Sequence, residues 1–412
     1  MEPDQVTAQG SGPALSGVQV LDLSGGVSGG YCTKLLADLG ADVTKIEPPG
    51  VGDPARSVGP FLNDIPDKEA SAPFLYLNTG KKSVTLNLEC QEGRGVLQEL
   101  VRHVDVLVEN LGPGALAGLG LDRAVLAQIN AGLIVASISC FGQTGPYRDY
   151  EGSDLIAHAV SGYMYLTGDE DKEPLKPGGS QSGYQAGLSA AMAILAALTE
   201  RDFTGRGEYI DVSDVEALAA TFDGVAVYTM LDRQGVMPLR AGTRLINRDP
   251  HSPYPSTLLP CKDGWVHVHY SPSHPEGLAL LTGNPRLAAP EVMAAMRGHA
   301  DEIDRMLAEW LKDRTRVEIQ TVAQEIRVPF TMVQSVGEVL KDPQNEARGF
   351  FGEIDHPVAG KLRYPTPAFH MPESAWEPVR APFLGEHNRE VYARMLGYTE
   401  GDLARLRKLE VV

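Results

Sequence analysis

Short apolar runs alternate with segments of helical period through the first half of the chain. Residues 18–23 read as a buried strand, 29–39 as a helix and 42–46 as a second strand, which together form a βαβ unit. The turn Ser24-Gly-Gly-Val-Ser-Gly-Gly30 joins the first two elements. The pattern continues with a strand at 83–88, a helix at 91–103, a strand at 104–108, a helix at 121–130 and a strand at 133–139. A further strand at 209–212 runs into a long helix at 214–230. Such alternation predicts an α/β fold with a parallel, doubly wound sheet, whose ligands sit at the carboxyl ends of the strands.

Between these segments, a short acidic turn (Glu151, Gly152, Ser153, Asp154) precedes a Gly/Ser-rich stretch at 176–187 and an apolar helix at 188–198. A helix apolar on every side is expected to be buried. Glycines at its entrance leave backbone N–H groups open to a ligand. Composition shifts after residue 230. Residues 248–255 form a Pro-rich linker, and 264–270 alternate as a strand that opens a smaller α+β domain. Helices follow at 303–313 and 316–327, the latter ended by Pro329. Beyond residue 360 the chain reads as irregular and Pro-rich, closing on amphipathic helices at 388–395 and 400–409.

A length of 412 residues predicts two domains, and a formal charge of −18 argues against a nucleic acid or an anionic membrane as partner. Residues 1–16 read as a disordered tail without an export signal, and the longest apolar run is too short to span a bilayer. Four dispersed cysteines (Cys32, Cys90, Cys140, Cys261) fit a reduced, cytoplasmic protein without a zinc site. A nicotinamide site would place GxGxxG in the first turn and an acid some twenty residues on; Glu47 suits the acid, but Gly25, Gly26, Gly29 and Gly30 have the wrong spacing. His267 and His269 share one strand face without a third ligand nearby in sequence, which reads as a solvated face, and no metal is expected.

Several phrases together resemble the class III CoA-transferase family, which includes carnitine CoA-transferase, formyl-CoA transferase and α-methylacyl-CoA racemase. They are Gly17-Val-Gln-Val-Leu-Asp-Leu23, Leu36-Ala-Asp-Leu-Gly-Ala-Asp-Val43, Lys45-Ile-Glu-Pro-Pro49, Gly52-Asp-Pro-Ala-Arg56 and Asn78-Thr-Gly-Lys-Lys-Ser83. Val108-Glu-Asn-Leu-Gly-Pro-Gly114, Gly142-Gln-Thr-Gly-Pro146, Ile194-Leu-Ala-Ala-Leu198, Gly205-Arg-Gly207, Asp342-Pro-Gln344, Ala347-Arg-Gly349 and Ala381-Pro-Phe-Leu-Gly-Glu-His387 follow in order. The resemblance implies a large Rossmann-like domain from both ends of the chain (17–225 and 331–412), a small α+β domain at 226–330, and a dimer of interlocked rings. It also implies a ping-pong reaction without a permanently bound cofactor. An aspartate attacks an acyl-CoA thioester, forms a mixed anhydride and then an enzyme–CoA thioester, and passes CoA to a carboxylic acid. By the same resemblance, CoA lies against Gly26, Val27, Ser28, Leu86, Asn110, Leu111 and Gly112.

The chain departs from that pattern at the chemistry. The family nucleophile lies four residues before the glycine equivalent to Gly187, and that position holds Gly183. The racemase histidine falls on Ser153, the glutamine of the first turn on Val27, and the bases for the CoA phosphates on Pro48, Glu89 and Gly118. The expectation is therefore a non-catalytic subunit paired with a catalytic paralogue, as in the two-subunit succinyl-CoA:benzylsuccinate CoA-transferase type. Its alternatives are an active homodimer that uses Asp154, with Glu151 next, and a binding or regulatory protein on the same fold. Tyr147, Tyr150 and Tyr184 are expected near the pocket.

Overall fold

The computed structural model describes residues 12–221, 231–233, 235, 240, 242–244, 251–374 and 376–412. The chain divides into two compact units, one of residues 1–161, 177–224 and 346–412, the other of 162–176 and 225–345. The first unit is built on six parallel strands: β1 (Gln19–Asp22), β2 (Asp42–Glu47), β3 (Lys82–Thr85), β4 (Val106–Glu109), β5 (Ile134–Ser139) and β6 (Tyr209–Ser213). Their order is β3-β2-β1-β4-β5-β6, so the winding reverses between β1 and β4. A crevice opens at that reversal because the two connections leave on opposite faces.

Alternation along the strands divides the core into two layers. Val20, Val43, Val106, Val108, Ile134 and Ala136 face one side, against α1 (Val27–Asp38), α7 (Gln181–Thr204) and α8 (Asp214–Thr221). Leu21, Ile46, Leu107 and Val135 face the other, against α3 (Gln91–Val101), α5 (Arg123–Ile129) and the C-terminal helices Asn388–Leu396 and Glu400–Lys408. The C-terminal segment also closes the edge strand β3. Asn388 Oδ1 accepts from Thr85 N at 2.7 Å, Tyr392 donates to Thr85 O at 2.7 Å, and His387 N donates to Ser83 O at 2.9 Å.

Beneath the first Gly-rich turn lies a buried ionic network. Asp22 accepts from Thr33 Oγ1 (2.7 Å) and Lys81 Nζ (3.0 Å), and Lys45 Nζ lies 3.6 Å away. Lys45 donates to Ser24 O (2.6 Å) and pairs with Asp53 (2.7 Å), whose other oxygen accepts Gly26 N at 3.0 Å. Burial works to raise the Asp22 pKa, but Lys45 and Lys81 together overcome it and hold the carboxyl well below the ordinary range. Lys81 is lowered to about 8, by burial first, with Asp22 opposing. Glu47 is fully enclosed as well. It binds Arg56 through Nε at 2.7 Å and Nη2 at 2.9 Å and accepts from Asp53 N and Ser83 Oγ. This corrects its candidacy as a ribose-binding acid, since its oxygens are committed inside the fold.

The helix expected at 188–198 begins at Gln181, so half of the Gly/Ser-rich stretch is helical. Its start is fixed from outside. Asp154, 28 residues earlier, accepts both the N–H and the hydroxyl of Ser182 at 3.0 Å. Glycine is tolerated here because α7 lies directly on α1: a Cβ at Gly187 would stand 2.5 Å from Ser28 O and 3.1 Å from Cys32 N. The expectation that α7 is buried on every side does not hold. Leu188 is 49% and Met192 66% exposed, and on α6 (Asp154–Val160) Leu155 and Val160 are half exposed. The strand Gly360–Pro365, which pairs with Phe351–His356, corrects the reading of that region as irregular.

The second unit has a three-stranded antiparallel sheet (Ser256–Cys261, Gly264–His269, Thr331–Met332) under the helices Ala300–Leu311 and Arg316–Glu325. Val266, Val268, Ile303, Leu307, Ile319 and Phe330 form its core. His267 and His269 stack with centroids 6.1 Å apart. Among the described residues no group of three or more His, Cys, Asp or Glu is placed to hold a metal ion, and no helix is long and apolar enough to cross a membrane. Residues 1–11 of the expected tail, 248–250 of the Pro-rich linker and 222–230 of the helix predicted after β6 lie outside the described residues; the end of the expected tail is a turn in which Leu15 N donates to Leu39 O at 2.9 Å.

Two predictions follow from this packing. Lys45→Met leaves Asp22 and Asp53 buried beside one cation fewer, and urea denaturation should show a loss of about 3–5 kcal/mol. A loss below about 1 kcal/mol would contradict the network's role. Gly187→Ala should also destabilise, by about 1–3 kcal/mol, because overpacking against α1 outweighs alanine's helix propensity; a more stable variant would show that the two helices separate freely.

Candidate active site

The first turn reaches the crevice with its backbone held on both sides. Asn110, just past β4, accepts Gly25 N at 2.8 Å and donates to Gly25 O at 2.7 Å and Ser28 Oγ at 3.1 Å. This clamp joins the ends of β1 and β4 across the topological reversal. Next to it, a cavity of about 550 Å³ is lined by Ser28, Asn110, Leu111 and Gly112 from these two connections, by Ser139 to Phe141 after β5, by the loop 148–153, and by Asp154 and Asp214 at the starts of α6 and α8. Of the seven residues that the resemblance sets against CoA, Ser28, Asn110, Leu111 and Gly112 share this wall.

Gly26 and Val27 do not line this cavity. Gly26 is tied down by Asp53, and Val27 turns toward α7, where its Cβ and Cγ1 each lie 3.1 Å from the place a Cβ at Gly183 would occupy. Ser28 N is 3.3 Å from the same point. A side chain at 183 would therefore require Val27 to give way by a few tenths of an ångström. Val27 and Gly183, 156 positions apart in sequence, thus meet face to face.

Asp154 lines the cavity but also anchors α7 through Ser182, and its backbone carbonyl lies 2.8 Å from His158 Nδ1. Ser153 caps α6 by accepting Ile156 N at 3.3 Å, and Glu151 stands exposed on the cavity wall. Of the tyrosines, Tyr147 and Tyr150 stack at 4.9 Å beside Phe141, with Tyr150 and Phe141 on the lining. Tyr184 points to α1 and meets Tyr31 edge-on at 4.9 Å.

Sequence reading missed Asp214. It follows β6 directly, and its carboxyl is raised to about 6, chiefly by burial and then by the charge of Asp154. Its Oδ1 and the Ser139 hydroxyl are shut off from solvent and have no hydrogen-bond partner among the described residues. The available signal was position: a carboxylate at the carboxyl end of a parallel strand faces the ligand side. Cys140 is raised to about 11 by burial and by Asp214.

A second cavity, of about 1010 Å³, lies beyond the ends of β1, β2 and β3. Its walls include Leu23, Ile46, Leu86, Leu88 and Leu111, so Leu86 and Leu111 lie here and Leu111 borders both cavities. Pro48, Glu89 and Gly118 all face it, together with Arg94, Arg407 and Glu410. Arg94 donates to Leu88 O at 3.0 Å and Glu89 O at 2.7 Å.

Known proteins are similar to this one along nearly the whole chain. Residues 15–388 match CoA-transferase family III. The chain is 34% identical over 407 residues to a succinyl-CoA–D-citramalate CoA-transferase of Chloroflexus aurantiacus, spanning 97% of this chain and 98% of that protein. It is 31% identical over 426 residues to subunit BbsE of the succinyl-CoA:(R)-benzylsuccinate CoA-transferase of Thauera aromatica, spanning 97% and 98%. The crystal structure of a CaiB/BaiF family protein from Brucella suis superposes with a TM-score of 0.81 at 31% identity, covering 93% of this chain and all of the other. Identity at this level along nearly the full length fixes the family and the activity class, whose substrates are CoA thioesters: the chain belongs to CoA-transferase family III and is a CoA-transferase.

Proposed function

We propose that this chain is the non-catalytic subunit of a CoA-transferase that moves CoA between a succinyl-CoA-like thioester and a carboxylic acid, with a paralogous chain supplying the nucleophile. The observation that carries this reading is the contact between Gly183 and Val27. At the place where the family resemblance puts the attacking carboxylate there is a glycine, and Val27 packs against it. A covalent route through an enzyme anhydride needs a carboxylate at that point, and no side chain stands there.

The exposed apolar residues of α6 and α7 support assembly with another chain, since a helix with so little polar surface gains by being covered. One relative, BbsE, is itself named as a subunit. In this reading the larger cavity takes the nucleotide end of CoA, with Arg94 and Arg407 as the bases nearest its phosphates, while the smaller one faces the thioester. Glu89 and Glu410 on the same wall weaken that attraction, as suits a chain whose partner does the chemistry. The crevice side of Asp154 favours a second reading, in which this carboxylate attacks the thioester, but the two hydrogen bonds it accepts from Ser182 give it a structural task at the start of α7.

Native mass spectrometry of the chain expressed alone and with the genes encoded beside it, followed by a succinyl-CoA transfer assay on each species, tests the proposal. The expected result is transfer by the hetero-oligomer and none by this chain alone. An active homo-oligomer would refute the subunit assignment.

A further inference from the structure

We propose that the cavity between the loop 148–153 and the starts of α6 and α8 binds a carboxylate group of the acid substrate, with Arg148 as its cationic partner and Asp214 as a hydrogen-bond donor. This deepens the reading above, on which it rests, by assigning this chain a carboxylate-recognising site of its own. Among the described residues three polar atoms of its lining are sealed and make no hydrogen bond, Asp214 Oδ1, Ser139 Oγ and Arg148 Nε; Asp149 offsets the last, which leaves Asp214 Oδ1 and Ser139 Oγ, on different elements, without a partner. Buried polar groups in a folded protein are nearly always paired, so two such atoms on one cavity wall point to a polar guest. Among the described residues Arg148 is the one basic side chain on that wall, and it meets Asp149 through Nε at 3.2 Å.

An ionised Asp214 would repel a carboxylate, whereas a protonated one donates to it in a short, charge-assisted bond. Its carboxyl keeps its proton up to a pH of about 6 in the unliganded protein, because of burial and of Asp154. The other charged or titratable groups around it are His158 on α6, Arg148, Asp149 and Glu151 on the loop, Cys140 after β5, Asp211 on β6 and Glu216 on α8. The helix α7 brings no charged side chain before Glu200. Proton and ligand are therefore linked with one sign: each carboxylate bound favours the protonated form, and affinity falls as pH rises above about 6.

The probe is succinate, titrated calorimetrically into the full-length chain between pH 6.5 and 8.5, where it is predominantly a dianion. Affinity should drop on the order of tenfold or more across that range. Asp214→Asn, which keeps a donor at every pH, should remove the drop, and Arg148→Gln should weaken binding about tenfold at both ends. Unchanged circular dichroism and melting curves identify variants that fold. A pH-independent affinity in the wild type, or an undiminished pH dependence in Asp214→Asn, overturns the proposal, as does the absence of succinate binding. Transfer by the complex of this chain with its paralogue is assayed on the same preparations. Transfer without succinate binding to this chain would sink the carboxylate site alone, and succinate binding without transfer in any species would sink the subunit reading alone.

Discussion

The site depends on one buried constraint, the ion network of Asp22, Lys45, Lys81 and Asp53 beneath the first Gly-rich turn. Charges enclosed so fully are costly unless each finds several partners, and here each does. The cations bind Ser24 O and Gly30 O, and Asp53 binds Gly26 N, so the network fixes the backbone of the turn from below while Asn110 fixes it from the side. A loop with four glycines in seven positions would otherwise sample many conformations. Held in this way, it gives α1 one position and α7 one surface on which to lie.

The second constraint follows from the first. With α1 fixed, α7 approaches it closely enough that Gly187 admits no Cβ without a shift in the backbone of α1. Gly183 sits one helical turn earlier on the same seam, opposite Val27. Packing and chemistry thus draw on the same positions. A side chain at 183 would stand on that seam, where Val27 now lies 3.1 Å from the place its Cβ would take.

Much of the fold was legible because parallel strands buried on both faces form continuous apolar runs, and the helices between them keep a helical period. The six strands of the parallel sheet fall where the pattern placed them, with ends shifted by up to three residues. The start of α7 was not legible. Its cap comes from Asp154, 28 residues away, and local composition showed only glycine and serine. The exposed face of α7 was hidden for a related reason, since hydropathy reports what a helix would prefer to bury and does not say which chain covers it. At the site, motif resemblance located Ser28, Asn110, Leu111, Gly112 and Asp154, which carry their signal in local phrases. Asp214 belongs to no such phrase. Its perturbed carboxyl arises chiefly from burial and then from Asp154, 60 positions away in sequence, on the helix α6 that packs against α8. Glu47 shows the converse, a position that suited ribose binding until Arg56 and Ser83 were seen to occupy its oxygens.

The central claim is that covalent chemistry occurs on the paralogous chain and not on this one. Intact-mass spectrometry of the co-expressed complex after brief incubation with succinyl-CoA tests this directly, because an enzyme–CoA thioester adds the mass of CoA less one water to the chain that forms it, the oxygen leaving in the released succinate. The expected result is an adduct on the paralogue alone, with this chain at its unmodified mass. An adduct on this chain, mapped to Asp154, Asp214 or any other carboxylate, would contradict it.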